Sequence, residues 1–348
     1  MRVLVVNAGS SSLKVRLLDD GELVTSYDAL PDPAPDVTAV GHRVVHGGTR
    51  FVEPVVIDAA VERELRQLAD LAPLHQPKSL AGIDAARELL PDVPHVACFD
   101  TAFHAHLPPA AATYPLPAEW RERFGIRRFG FHGLSHAWAA RRAAELAPGA
   151  RRIVTCHLGA GASLAAVLDG ASVDTTMGFT PLDGLVMATR PGSLDPGLLL
   201  WLEEHAELTP QQLGDALEHR SGLTALAGTG DMRELLGRGD AAARLAVEVY
   251  LHRLRAGIAA MTASLGGIDT LVFTGGVGEN AAAIRIRAAK GLGYLGVAVD
   301  AAANDAVAGA DADITASGAI VRTLVVTSRE DLEIERGVRQ ALGQQAGG

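Results

Sequence analysis

The chain has 348 residues, a formal net charge of −10, 48% apolar residues and 21% charged residues. This length exceeds the usual size of one hydrophobic core, so two domains or one duplicated domain are expected, and the apolar fraction excludes a largely disordered chain. The acidic balance argues against nucleic acid and anionic membrane surfaces as partners, because both require a broad basic face.

The first half of the sequence begins with a β-meander over residues 2–28, where short apolar strands are separated by the turns NAGSSS and DDG. Apolar positions at helical spacing predict helices over 58–72 and 77–90. The run VPHVACF at 93–99 predicts a short buried strand.

A second pass begins near residue 151, where RIVTCHLGAGASLAAVLDG repeats the strand, small-residue turn and strand of the opening. We interpret this repeat as an internal duplication. A long helix over 239–266, strands at 270–274 and 323–327 and a charged closing helix are expected further along. Strands and helices in two similar halves predict α/β layers facing each other across a cleft, where ligands usually bind.

Three segments of small residues follow apolar strands: NAGSSSLK at 7–14, HLGAGAS at 157–163 and GGVGEN at 275–280. Each could be an ordinary turn, or its backbone N–H groups could converge on phosphate oxygens. Lys14, one of only three lysines among 31 basic residues, adds positive charge to the first segment. The P-loop pattern is absent, and a dinucleotide-binding domain built on GGVGEN does not explain the duplicated hairpins.

Four polar residues occupy positions suited to chemistry. Arg43 lies in an apolar strand, Asp100 follows a buried strand, His132 opens a helix and Arg190 lies in a loop rich in proline and glycine. Each also has a structural interpretation: an ion pair for the arginines, a helix cap for Asp100 and a packed or capping histidine for His132. The motifs of zinc peptidases and serine hydrolases are absent, so those chemistries have little support.

Two cysteines, Cys98 and Cys156, lie inside strand-like apolar runs, which disfavours a disulfide scaffold and fits a reducing compartment. The opening MRVLVVN has an apolar stretch too short for the core of a signal peptide. No run approaches the roughly 18 apolar residues of a spanning helix. The sequence therefore predicts a soluble, cytoplasmic protein.

Nine motifs occur in one order along the chain: NAGSSSLK, GHRVVHGG, APLHQP, FDTAFH, FGFHGLSH, CHLGAG, FTPLDGL, GGVGEN and SREDL. Together they resemble the acetate kinase family, the acetokinase branch of the sugar kinase, Hsp70 and actin-like ATPases. The resemblance covers nearly the whole chain and implies an α/β fold of two domains, with duplicated ribonuclease-H-like cores flanking an active-site cleft. It assigns residues 1–104 plus 332–348 to an acetate-side domain and 105–331 to a nucleotide-binding domain.

The resemblance also implies a homodimer that transfers phosphate reversibly between ATP and acetate, giving acetyl phosphate and ADP. Mg²⁺ is the implied metal, and Mn²⁺ could replace it. Asn7 and Glu330 match the metal ligands of the family, and Asp100 matches its acidic active-site residue. His132 and Arg190 match the groups that stabilise the transferring phosphoryl.

The remaining matches of the family pattern are substrate contacts. Arg43 matches the ligand of the acetate carboxylate, and the residues that match the pocket for its methyl group are Val45, Leu74, Phe131 and Pro181. The residues that match nucleotide contacts are Ser10, Ser12, Lys14, His157, Leu158, Gly159, Ala160, Gly161, Asp231, Met232, Arg233, Gly276, Val277, Gly278, Glu279 and Asn280.

This sequence departs from the family pattern at several positions. Ala160 stands where an asparagine is usual, Met232 where an aromatic residue often occurs, and the chain is several tens of residues shorter than typical members. Nucleotide affinity and base preference are therefore less determined than the reaction.

Other functions stay open at this point. Propionate kinase is the nearest alternative, because one methylene in an apolar pocket changes binding by only about 1–3 kcal/mol. Butyrate kinase and a pyrophosphate-dependent relative fit the motifs less well. From another class, the fold could serve as an ATP-binding regulatory module without catalysis.

Overall fold

The structure, a computed structural model, describes residues 1–8, 13–68 and 76–345. Its contacts divide the chain into two compact units: unit 1 consists of Met1–Ala105, Phe131–Trp138 and Arg329–Gly348, and unit 2 consists of His106–Gly130 and Ala139–Ser328. The division into domains expected from the family stays a prediction. The contact-based units differ from it mainly at 131–138, which groups with unit 1.

Unit 1 contains a mixed sheet of six strands. The strands are β1 (Arg2–Ala8), β2 (Leu13–Asp19), β3 (Glu22–Tyr27), β4 (Ala39–Val44), β5 (Val55–Val56) and β6 (His95–Phe99). Their order is β3-β2-β1-β4-β6-β5, in which β1, β4 and β6 are parallel and the others pair antiparallel with their neighbours. The carboxyl ends of the three parallel strands therefore lie at one edge.

Unit 2 contains a second mixed sheet of six strands. The strands are β7 (Arg152–Leu158), β8 (Ala162–Leu168), β9 (Ala171–Thr175), β10 (Thr270–Thr274), β11 (Ala312–Asp313) and β12 (Arg322–Val325). Their order, β9-β8-β7-β10-β12-β11, matches the first sheet strand for strand. This two-domain α/β architecture agrees with the fold class expected from the sequence.

Two local details of the meander repeat as well. Asp20-Gly21 and Asp169-Gly170 turn the two hairpins with nearly equal positive φ angles, 48° and 84° in the first and 50° and 84° in the second. The register also shifts between Leu17 and Leu18 in the first hairpin and between Ala166 and Val167 in the second. Two positive φ angles suit a tight hairpin turn, because they match the twist of the flanking strands. The repeated meander predicted from the sequence is confirmed.

The described ranges also contain fourteen α-helices. They are α1 (Ala59–Gln67), α2 (Gln76–Leu89), α3 (Pro109–Ala112), α4 (Ala118–Phe124), α5 (Gly133–Leu146), α6 (Pro196–His205), α7 (Pro210–His219), α8 (Gly222–Ala227), α9 (Met232–Gly237), α10 (Ala241–Leu265), α11 (Gly275–Asn280), α12 (Ala282–Lys290), α13 (Ala301–Asp305) and α14 (Glu330–Gln345). One prediction was wrong: GGVGEN is helical rather than a simple turn. Gly275, the first residue of α11, has a positive φ of +79°, which glycine adopts without strain.

The sheet of unit 1 is covered on both faces. Val3 and Val5 face α14, where they pack in one cluster with Ile334 and Val338. Residues of opposite parity on the same strand, such as Leu4, pack on the other face in a cluster that includes Ala86 of α2. Alternation along a strand thus supplies both apolar faces of this layer.

The two cysteines lie within these layers. Cys98 and Cys156 are free and buried, and burial raises the pKa of both thiols well above its ordinary value. Such thiols are poor nucleophiles, as expected for residues that fill small apolar positions.

Within the described ranges, no helix combines the length and apolar character needed to cross a membrane.

Candidate active site

The centre of the candidate site in unit 1 is an ion pair between two adjacent strands. Arg43 lies near the end of β4 and Asp100 directly follows β6. The Arg43 Nε lies 3.2 and 3.1 Å from the two carboxylate oxygens of Asp100, and Nη2 lies 2.5 Å from Oδ2. Asp100 is only 1% exposed. The pair fixes the guanidinium by the bidentate geometry that arginine favours.

Two further residues predicted for the site adjoin this pair. Asn7, near the end of β1, accepts a hydrogen bond of 3.4 Å from Arg43 Nη1 through its Oδ1. Its Nδ2 donates to Glu330 Oε2 at 2.8 Å, at the start of α14. A chain of polar contacts therefore joins Asp100, Arg43, Asn7 and Glu330, which are separated by up to 323 residues in sequence.

Burial and charge act in opposite directions on the pair. Burial works to lower the pKa of Arg43, but the carboxylates of Asp100 and Glu330 outweigh it and hold that pKa above its ordinary range. Burial raises the pKa of Asp100, and Arg43 opposes the rise. Arg43 therefore stays cationic at any physiological pH, as a ligand for an anionic substrate requires.

His132 is placed beside the pair by a tight backbone contact. Gly133 N donates to the Asp100 carbonyl oxygen at 2.9 Å, and a Cβ at Gly133 would stand 2.1 Å from that oxygen. His132 itself has a φ of +55°, and its carbonyl accepts the first hydrogen bond of α5 from His136 N. A left-handed conformation is costly for histidine, so the surrounding contacts hold this residue in a set position.

The residues predicted to form the apolar pocket are only partly described. Val45 and Phe131 are buried in unit 1, and the Phe131 ring meets His46 edge to face at 5.5 Å between centroids. Pro181 belongs to unit 2. Leu74, with the predicted nucleotide contacts Ser10 and Ser12, lies outside the described residues.

The oxygens in unit 1 suit a hard divalent cation. Mg²⁺ prefers one or two carboxylates completed by water and phosphate oxygens, rather than a full cage of protein ligands. Glu330 and the Oδ1 of Asn7 are oxygen donors of this kind. Among the described residues, no three His, Cys, Asp or Glu side chains form a group that could hold a metal, so a cation here would rely on other oxygens as well.

In unit 2, two of the predicted nucleotide segments lie side by side. The parallel strands β7 and β10 are paired up to His157 and Thr274, which face each other in register. Gly275 then passes so close to Leu158 that a Cβ would stand 2.8 Å from the Leu158 carbonyl oxygen. Only glycine allows both this approach and its positive φ, so α11 abuts the turn that holds Gly159–Gly161.

Ala188, which the sequence analysis did not single out, joins three segments of unit 2. Its N–H donates to Ala160 O at 3.0 Å, and its carbonyl accepts from the backbone and the hydroxyl of Thr224, each at 2.9 Å. Gly230 lies against it, since a Cβ there would stand 2.7 Å from Ala188 Cβ. The glycine turn, the Arg190 loop and the residues before α9 are thereby brought together.

Arg190 is held in that loop by partners within unit 2. Its Nη1 donates to the Pro181 carbonyl at 3.0 Å, and its Nε lies 3.8 Å from Glu218 Oε2. Burial lowers the pKa of Arg190 and Glu218 opposes that shift. Glu218 was not predicted, because no motif marks a carboxylate 28 residues further along the chain.

The segment before α9 divides into a cap, a core residue and an exposed cation. Asp231 accepts from Arg233 N at 2.8 Å and caps the helix. Met232 is buried, whereas the Arg233 side chain is 90% exposed. Of these three predicted nucleotide contacts, Arg233 is therefore the side chain most open to a ligand.

The side chains of α11 are engaged within the protein. Glu279 Oε1 accepts from Gly275 N at 2.9 Å and from Ser328 N at 3.0 Å, and Asn280 Nδ2 donates to Gly276 O at 2.9 Å. Any nucleotide contact in this segment thus falls mainly to its backbone and to Gly276, where a Cβ would meet nothing within 4 Å.

The fold and the candidate site are those of a two-domain α/β phosphotransferase. Comparison with known proteins agrees with this class. The model of the acetokinase family matches residues 22–336. An acetate kinase of Gloeobacter violaceus is 50% identical over 321 residues, covering 90% of this chain and 78% of that protein. The chain belongs to the acetokinase family.

Solved structures are similar over nearly the whole chain. The acetate kinase of Porphyromonas gingivalis has a TM-score of 0.89 and 32% identity, covering 98% of this chain and 99% of that one. A propionate kinase of Francisella tularensis also has a TM-score of 0.89, with 33% identity and coverage of 97% and 98%. The fold does not separate these two activities.

Proposed function

We propose that this protein is an acetate kinase that transfers a phosphoryl group reversibly between ATP and acetate, giving acetyl phosphate and ADP. The observation that carries the proposal is the ion pair between Arg43 and the buried Asp100 in a chain of the acetokinase family. Asp100 accepts from Nε and Nη2 of the guanidinium and Asn7 accepts from Nη1, so two of its five N–H groups remain for an anion. A small carboxylate fits the fork geometry of a guanidinium.

Acetate needs no general base. Carboxyl groups in model peptides have pKa values of about 4, so acetate is already an anion at neutral pH. Asp100, hydrogen-bonded to Arg43, positions that cation rather than removing a proton. We expect a carboxylate oxygen to attack the γ-phosphorus in line, forming one O–P bond as the bond to ADP breaks. Inversion at a chiral phosphorus would support this step, whereas net retention would indicate a phosphoenzyme.

Arg190 is proposed to supply positive charge around the transferring phosphoryl, and His132 to supply a hydrogen-bond donor. Phosphoryl transfer depends on positioning and on electrostatic stabilisation of the equatorial oxygens more than on covalent chemistry. Arg190 is fixed by Pro181 and Glu218, and His132 by its backbone beside Asp100. Fixed cations and donors of this kind act without reorganising during the reaction.

Asn7 and Glu330 are proposed to hold Mg²⁺, which Mn²⁺ could replace. Bound there, the cation would neutralise charge on the nucleotide phosphates. The two side chains already contact each other at 2.8 Å, so they share one place in unit 1. Lys14, also in unit 1, is exposed and is proposed to contact the phosphates.

The nucleotide is assigned to unit 2. The supporting observation is the adjacency of the turn at Gly159–Gly161, α11 and the segment before α9, all tied to Ala188 or Leu158. Exposed Arg233 and the open space at Gly276 leave room for a ligand. Unit 1 would then bind acetate and unit 2 the nucleotide.

Propionate kinase is the second candidate, because the structure of the Francisella tularensis propionate kinase is as similar as that of an acetate kinase. One additional methylene changes binding in an apolar pocket by only about 1–3 kcal/mol. Measuring kcat/KM for acetate, propionate and butyrate with ATP decides between them. A preference for propionate of about tenfold or more would overturn the first assignment.

An assay for acetyl phosphate tests the reaction itself. Purified protein with Mg-ATP and acetate is expected to give acetyl phosphate that hydroxylamine traps as the hydroxamate. ATP binding without this product would favour a regulatory ATP-binding module. Such a module has no need to assemble Arg43, Asp100, His132 and Arg190.

We further propose that the protein is a cytoplasmic homodimer that acts on small molecules and binds neither nucleic acid nor membrane. A net charge of −10 is consistent with the last two points. The dimer is supported by three large apolar side chains of α6, Leu198, Leu200 and Trp201, which are 44%, 67% and 53% exposed. Contiguous exposed apolar residues commonly mark protein interfaces.

A further inference from the structure

Arg285 is a charged side chain buried deep in unit 2. It lies on α12, just after the helix that contains the proposed nucleotide contacts, and it is 1% exposed. Removing a guanidinium from water is expensive unless its hydrogen bonds are satisfied. Burial lowers the pKa of Arg285, with Asp305 opposing the shift. The hydrogen bonds of Arg285 must therefore offset this cost.

The contacts of Arg285 converge on the end of α11. Its Nη1 donates to the carbonyl oxygens of Gly278 at 3.0 Å and Glu279 at 2.7 Å. Ala281, with φ −101° and ψ 78°, breaks the helix before α12 begins, so these two carbonyls have lost the partners that a continuous helix would supply. Arg285 replaces those partners.

The other side of the guanidinium is tied to α13. Arg285 Nε donates to Asn304 Oδ1 and Nη2 donates to Asn304 O, both at 2.7 Å. Asn304 is fully buried and its Nδ2 donates to Ala282 O at 3.0 Å. Among the described residues, no carboxylate lies within ion-pair distance of Arg285, so its hydrogen-bond partners are all neutral oxygens.

We propose that Arg285 is a positioning residue for the nucleotide, because it sets the break between α11 and α12 and thereby the place of the Gly276–Asn280 backbone. Asn304 orients the Arg285 fork and shares this role. The inference rests on the proposed nucleotide site in unit 2. It predicts that loss of the fork weakens nucleotide binding while acetate, whose ligands lie in unit 1, is little affected.

Arg285→Lys keeps the charge but not the fork geometry, so it is the main test. We expect the KM for ATP and the Kd for MgADP, measured by calorimetry, to rise about tenfold or more, since a small misplacement of a contact is costly. The KM for acetate should stay within about twofold. Arg287→Gln is the matched control, because Arg287 is exposed on the same helix; it should leave both constants unchanged.

Two more variants keep the test decisive. If Arg285→Lys does not fold, Asn304→Ala removes the bond to Nε and should raise the KM for ATP about threefold while kcat stays near wild type. Gly276→Val probes the nucleotide site itself, since no atom lies within 4 Å of the place that a Cβ would occupy there. Unchanged nucleotide binding in Gly276→Val would reject the site. If nucleotide binding is weakened in Gly276→Val but unchanged in folded Arg285→Lys or Asn304→Ala, only the role of Arg285 is rejected.

Discussion

At the scale of single residues, the candidate site is built from polar and charged side chains whose partners fix their geometry. Arg43 is held by Asp100, Arg190 by Pro181 and Glu218, and Asn7 by Glu330. A buried charge with a rigid partner loses little freedom when a ligand arrives, which favours tight positioning. The orientation of each fork should therefore matter more than the charge itself.

Arg43→Lys tests that statement. Lysine keeps the positive charge but cannot make the bidentate pair with Asp100, so kcat/KM for acetate should fall about 100-fold or more. The measurement is steady-state kinetics with acetate varied at saturating ATP. Arg87→Lys alters a partly exposed ion pair between Arg87 on α2 and Glu62 on α1, and it should change kcat/KM less than about twofold. Near wild-type kinetics in Arg43→Lys would contradict its role as the carboxylate ligand.

Arg190→Ala tests stabilisation of the transferring phosphoryl. A cation that acts mainly in the transition state contributes to kcat, so kcat should fall about 1,000-fold while both KM values change only a few fold. Glu218→Gln should lower kcat by less than about tenfold, because the Pro181 carbonyl still holds Arg190. A large rise in the KM for acetate with kcat preserved would instead make Arg190 a substrate-binding residue.

At the scale of elements, glycines decide how closely segments approach. Gly275 combines a φ of +79° with contact to Leu158, whereas Gly276, the next residue, faces open space. The two positions differ by one residue in sequence but not in residue type. They form a matched pair for measuring what the close approach of α11 to β7 contributes.

A left-handed conformation costs a residue other than glycine about 1–2 kcal/mol. Gly275→Ala should lower the free energy of unfolding by more than this amount, because the added Cβ also crowds the Leu158 carbonyl. Gly276→Ala should not lower it, because its Cβ meets open space and alanine favours a helix over glycine by up to about 1 kcal/mol. Urea titrations followed by circular dichroism measure both values. Equal effects of the two substitutions would mean that the approach to β7 is not constrained as described.

At the scale of the whole molecule, buried histidines couple folding to pH. Burial lowers the pKa of His42 to about 3 and those of His46 and His104 to about 4, against 6.5 in an unfolded chain. The unfolded state therefore binds protons that the folded state does not below pH 6.5. Stability is complete above that pH and falls as the pH drops toward 4.

Once the pH is well below 6.5, each of these histidines should lower the free energy of unfolding by about 1.4 kcal/mol for every unit that the pH falls. Unfolding free energies measured between pH 7 and pH 5 should show this slope, a window in which ordinary carboxylates are still ionised. His104→Asn should reduce the slope by the contribution of one histidine, about 1.4 kcal/mol per pH unit. A stability that is flat over this window would contradict burial of the neutral rings.

Self-association is the second property of the whole molecule. Light scattering after size exclusion should give twice the 36.2 kDa mass of the chain. Trp201→Glu places a charge on the exposed apolar face of α6 and should shift the protein toward the monomer. Glu203→Gln on the same helix is the control. A wild-type monomer at micromolar concentration would reject the dimer, and a dimer unaffected by Trp201→Glu would reject this face as its interface.

Much of the fold could be predicted from local pattern. The meander at 2–28, its repeat near 151, the strand at 270–274 and the helix around 241–265 follow from run length, period and turn residues, which are short-range properties. The prediction for GGVGEN failed because its conformation depends on distant partners. Ser328 and Arg285 hold α11, and no local rule indicates them.

The sequence by itself determined the duplicated α/β architecture and the family, and it predicted site roles for Arg43, Asp100 and Arg190, because apolar period and ordered motifs are written along the chain. Only the tertiary structure showed which partners contact the segments predicted to form the site. Glu218, Ala188, Arg285 and Asn304 act through contacts between elements distant in sequence. Such contacts depend on how strands and helices pack in three dimensions, which is why burial and hydrogen bonding reveal them and spacing along the chain does not.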